Sequence, residues 1–73
     1  MTVTIGWSGC DYIVQLSQVE PTVDHAVQAA RETYRLSIPM DYRVSIGTTN
    51  ATPSTKIKDG VILVVSKKPI HRN

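Results

Sequence analysis

The chain has 73 residues, one cysteine, a formal net charge of +2 and 19% charged residues. That length holds one domain, and a core this small leaves little stability to spare. No disulfide can form within the chain, Cys10, His25 and His71 make no metal-ligand pattern, no apolar run approaches the roughly 18 residues that cross a bilayer, and the charge is too mild to indicate nucleic acid.

A lone thiol suits a reducing compartment, so the expectation is a soluble, cytoplasmic protein. Ser8-Gly9-Cys10 has the spelling of a lipoprotein cleavage site. The basic start and the apolar stretch that such a site needs are missing before it.

Residues 1–7 alternate, with Val3, Ile5 and Trp7 on one side and Thr2, Thr4 and Gly6 on the other, which predicts a half-buried strand. Ser8-Gly9-Cys10-Asp11 supplies turn chemistry. Residues 12–17 alternate again, with Tyr12, Val14 and Leu16 on one side, so the two runs predict a hairpin. Pro21 then breaks the pattern, and Thr22 is placed to cap a helix by accepting an otherwise unpaired backbone N–H. Val23, Ala26, Val27, Ala30 and Tyr34 make one apolar stripe at helical spacing, with Asp24, His25, Gln28, Arg31, Glu32 and Arg35 outside it. The helix must stop before Pro39, and Leu36 and Ile38 are expected to seal its end. Tyr42, Val44 and Ile46 alternate inward as a third strand, and the polar residues 47–55 read as a loop. Lys58-Asp59-Gly60 predicts a tight turn before residues 61–65, the most strongly strand-forming run of the chain. Residues 67–73 read as a polar, mobile tail.

The predicted order is β-β-α-β-β: an α+β domain over residues 1–66 with one helix across a mixed, four-stranded sheet. Placing the last strand beside the first puts the most apolar run at the centre of that sheet.

Val19-Glu20-Pro21-Thr22 before the helix, and Ile38-Pro39-Met40-Asp41 with Arg43-Val44 and Gly47 after it, resemble the corresponding stretches of ubiquitin. The chain thus resembles the ubiquitin-like β-grasp superfamily over about residues 1–66. Thr55-Lys56-Ile57-Lys58-Asp59-Gly60 before an apolar strand also resembles the last strand of sulfur carriers and TGS domains. Two departures narrow what the resemblance implies. Modifiers and sulfur carriers act through a C-terminal Gly-Gly, whereas this chain ends Pro69-Ile70-His71-Arg72-Asn73 and contains no Gly-Gly that trimming could expose. The third-strand member of the apolar patch that ubiquitin's receptors meet is here Ser45.

With Leu63 and Val65 facing the helix, as the resemblance implies, Ile62 and Val64 face outward and share a sheet face with Ile13, Thr4 and Ser45. An apolar cluster on the solvent side of a sheet marks a partner surface. A slip of one residue would exchange the two faces, and Ile70 of the tail could cover the cluster instead. The expected partner-binding residues are Ile13, Arg43, Ser45, Ile62 and Val64, with Trp7 as an aromatic anchor. Cys10 has no basic neighbour in sequence to lower its pKa. His25 reads as a surface histidine, and no catalytic constellation, cofactor loop or metal site is expected. Lys56, Lys58, Lys67, Lys68 and Arg72 would form a basic rim if the last turn and the tail lie together.

The leading expectation is a non-catalytic module, an accessory subunit or regulator, that binds another protein as a monomer or homodimer. The alternatives are a modifier or sulfur-carrier-type protein acting through its C-terminus, and a TGS-like module binding RNA or nucleotide through the basic segment.

Overall fold

The first two strands pair as the predicted hairpin, β1 (Thr2–Trp7) against β2 (Cys10–Gln15), in the computed structural model, which describes residues 1–67; Cys10 and Asp11, expected in the turn, already pair with Trp7 and Gly6, so β2 begins and ends two residues earlier than expected. The turn between them takes positive φ at both central positions, Ser8 at 52° and Gly9 at 81°, the type I′ pattern that matches the twist of the strands. The chain continues through α1 (Val23–Tyr34), β3 (Arg43–Ile46), β4 (Thr49–Ala51) and β5 (Ile62–Ser66).

These strands make one mixed sheet in the order β2-β1-β5-β3-β4. β5 lies in the middle, parallel to β1 and antiparallel to β3. The architecture is therefore α+β with one helix, but the sheet has five strands rather than the four expected. The fifth is β4, which pairs with β3 through Val44↔Ala51, Ser45↔Asn50 and Ile46↔Thr49. Its three residues Thr49, Asn50 and Ala51 carry almost no apolar signal. What forms the strand is the two-residue connection of Gly47, at φ 62°, and Thr48, which folds it back on β3.

The helix buries Val23, Ala26, Val27 and Ala30 completely. They meet Val3, Ile5, Val14, Val44, Leu63 and Val65 on one face of the sheet. Each fully buried aliphatic side chain of this kind contributes roughly 1.5–3 kcal/mol. Tyr34, expected to complete the stripe, is 41% exposed. It sits at the edge of the sheet instead, its ring centroid 4.9 Å from that of Tyr12 and its hydroxyl donating to the carbonyl of Ile13 at 2.7 Å. Ile57, not foreseen as core, is buried in the segment before β5.

Both helix ends are closed. At the start, Thr22 is the N-cap, and its backbone N–H donates to Nδ1 of His25 at 3.0 Å in a capping box. His25 thus has a structural partner that its surface position in the sequence did not reveal. The segment before β5 satisfies two further orphan donors: Val23 N–H donates to the carbonyl of Thr55 and Asp24 N–H to that of Pro53, each at 2.9 Å. At the other end Arg35 turns left-handed at φ 55°. The connection to β3 is then held by Arg31, whose Nε donates to the Ile38 carbonyl at 3.0 Å and Nη2 to the Pro39 carbonyl at 2.8 Å.

Candidate partner-binding face

Antiparallel and parallel pairing align the side chains of neighbouring strands in rows across a sheet, and alternate rows share a face. One row on the face away from the helix runs Ile13, Thr4, Ile62 across β2, β1 and β5. The next row on that face runs Asp11, Gly6, Val64, Ser45, Asn50 across all five strands. Beyond it, Arg43 stands opposite Ser66. The register thus brings Ile13, Ile62, Val64, Ser45 and Arg43 to one face, and the alternative of a one-residue slip does not arise.

The aliphatic members stand in solvent: Ile13 is 57% exposed, Ile62 59% and Val64 51%. Ile62 and Val64 neighbour each other on β5, and Ile13 lies across Thr4 of β1 from them, so apolar surface on this face is left in contact with water. Covering it would release that water, at about 25 cal/mol per Å² of apolar area removed. Ile70, the other occupant considered for this face, lies outside the described residues, as does most of the expected tail.

Trp7 does not join the cluster. It belongs to the opposite set of rows, aligned with Cys10, Val65, Val44 and Ala51, and is half-buried against the core. It lines a shallow hollow of about 410 Å³ at the hairpin end of the sheet, together with Gly6, Asp11 and Val64. Asp11 is the outer-face residue that the turn reading passed over. Extending the alternation of Tyr12, Val14 and Leu16 backward by one residue places it beside Ile13, which is where it stands.

The basic rim does not assemble among the described residues. Lys56 and Lys58 precede β5 and Lys67 follows it, so a whole strand separates them. Lys56 instead pairs with Glu20 at 3.4 Å, both side chains well exposed, a contact worth under about 1 kcal/mol. Lys68 and Arg72 lie outside the described residues.

Cys10 is an exposed free thiol at the start of β2. Tyr42 is the strongly perturbed acid: burial first, then its hydrogen bond at 3.2 Å to the Asp24 carboxylate and that group's charge, push its phenol up to about 12. The Arg31 guanidinium, 5.7 Å from the centre of the Tyr42 ring, opposes the shift. These groups lie along the helix and its connection to β3, away from the outer face, and they fasten structure. Among the described residues no three His, Cys, Asp or Glu side chains gather as metal ligands, and no helix is long and apolar enough to cross a membrane. No protein-family model matches the chain, and no curated protein matches it.

Proposed function

We propose that this chain is a ubiquitin-like β-grasp domain that works without catalysis, as an accessory or regulatory module that binds a partner protein through its outer sheet face. The fold part of this reading is supported by the strand order, with the first and last strands parallel at the centre and the helix following the first hairpin. The function part is carried by one observation: Ile13, Ile62 and Val64 are exposed together on the face opposite the helix. Aliphatic contact there supplies affinity, and the flanking Asp11 and Arg43 set the orientation of whatever docks.

The test is affinity capture from native lysate with the wild-type chain, Ile62→Asp and Val64→Asp. Both positions are surface sites on a paired strand, so the variants keep the core. Loss of the same captured protein by both variants is the expected result. If both retain every protein the wild type captures, the outer face is not the docking surface.

A further inference from the structure

We propose that Tyr34 guards the long open edge of the sheet, holding off a second copy of this chain that would otherwise add its own β2 there. A sheet in the order β2-β1-β5-β3-β4 has two edges. β4 is three residues long, and its brevity blunts that edge. β2 is six residues long and has one charge, Asp11, near its start. It has no proline, no lysine and no bulge, since each of its residues opposes one of β1. Those are the devices that keep an edge strand from pairing, and the run Tyr12-Ile13-Val14 at its centre is strongly strand-forming.

The ladder shows which groups of β2 are open. Met1 and Leu16 exchange both hydrogen bonds: the Met1 amine donates to the Leu16 carbonyl at 3.0 Å, and the Leu16 N–H donates to the Met1 carbonyl at 2.8 Å. Counting in twos along the register, Val3 with Val14, Ile5 with Tyr12 and Trp7 with Cys10 are bonded in the same way. Asp11, Ile13 and Gln15 therefore turn their N–H and C=O groups away from β1. Among the described residues, the one of these groups with a partner is the Ile13 carbonyl, at the centre, and the partner is the Tyr34 hydroxyl at 2.7 Å. A pairing strand would set its N–H nitrogen about 2.9 Å from that same oxygen. The Tyr34 ring is braced against Tyr12, with centroids 4.9 Å apart. Guarding the edge accounts for a helix residue that leaves the buried stripe and stands 41% exposed.

The strand held off is β2 of another copy. A two-fold axis normal to the sheet beside Ile13 lays Ile13 on Ile13 and Asp11 on Gln15, so the outward groups of each copy meet those of the other. The pairing sets aliphatic against aliphatic and a carboxylate against an amide, with no like charges opposed. Both Tyr34 hydroxyls would fall in the joint, so the guard acts twice.

Residue-resolved amide hydrogen exchange of the full chain, from micromolar to millimolar concentration, reads the edge directly. In the wild type the Asp11, Ile13 and Gln15 amides should exchange fast at every concentration. In Tyr34→Ala they should slow roughly tenfold or more as concentration rises, while Tyr12 and Val14, already bonded to β1, do not follow. Tyr34→Phe keeps the ring and loses only the hydroxyl, so it should show the same pattern more weakly. Adding Ile13→Pro to Tyr34→Ala removes the N–H at the axis, which an edge strand tolerates, and should abolish the concentration dependence at Asp11 and Gln15. Circular dichroism verifies that each variant is folded, and if Tyr34→Ala is not, Tyr34→Phe decides. Variants whose three amides stay as fast as in the wild type overturn the guard. So does a wild type whose own three amides slow with concentration, or slowing that Ile13→Pro leaves in place.

Discussion

Replacing Arg31 with alanine tests how the connection between the helix and β3 is held. The guanidinium donates to the carbonyls of Ile38 and Pro39 at 3.0 and 2.8 Å and lies 5.7 Å from the centre of the Tyr42 ring. A hydrogen bond from a charged group contributes about 1.5–3 kcal/mol, and a partly shielded cation–π contact about 0.5–1 kcal/mol. Both carbonyls sit in a surface connection that water can re-enter, so the expected loss is a little below the sum of the lower ends, about 3 kcal/mol. For a domain of this size the whole folding free energy is roughly 4–11 kcal/mol, and the midpoint of thermal unfolding should fall by about 12–24 °C. Arg31→Lys should recover at most about half of the loss, since one ammonium cannot span two carbonyls as the planar fork does. Denaturation of the three chains followed by circular dichroism gives the comparison. An Arg31→Ala chain within about 0.5 kcal/mol of the wild type would refute the reasoning and leave this connection fastened by the burial of Ile38 and Tyr42 and by the Tyr42–Asp24 hydrogen bond.

Tyr42 gives stability a pH limit on the alkaline side. Its phenol is raised from 10.0 to about 12 in the folded chain, so the proton is held more tightly folded than unfolded. The contribution is complete below about pH 10, falls as the pH rises through about 12, and, discounted for solvent screening, amounts to at most roughly 3 kcal/mol between those limits. Denaturant titrations at rising pH should show that loss in the wild type and not in Tyr42→Phe; equal slopes in the two would show that Tyr42 is not its source. At the hairpin, Ser8 occupies a left-handed φ of 52°, which costs a residue with a Cβ about 1 kcal/mol. Ser8→Gly or Ser8→Asn should therefore raise the unfolding free energy by a few tenths to about 1 kcal/mol, and a lowered denaturation midpoint for both would contradict the turn geometry.

Much of the fold was legible because it is governed by near neighbours in the chain. The period-two runs ending at Trp7 and Ile46, the helical stripe of Val23, Ala26, Val27 and Ala30, and the Thr22 cap all express local backbone geometry, and each residue's own spacing reports it. The pairing of the last strand with the first was legible for a different reason. The residues of β5 are too apolar to leave at an edge, and the middle of the sheet is where they are covered. The same alternation assigned Ile13, Ile62 and Val64 to one face.

Other features were decided only when distant segments met. β4 exists because Gly47 returns three residues to a strand already in place, and in Thr49, Asn50 and Ala51 the one small apolar side chain is too weak a signal to announce it. Arg31 reads as one more charge on an outer helical face until the connection to β3 passes beneath it and offers two carbonyls. Trp7 reads as an anchor by residue type, yet the row it joins turns it toward the core and away from the exposed cluster. The division follows the range of the forces. Periodicity and capping depend on a few consecutive residues, so the sequence by itself determined the helix, four of the five strands and most of their buried sides. Hydrogen-bond partners and neighbours across the sheet depend on residues far apart in the chain, so only the tertiary structure decided which side chains stand together.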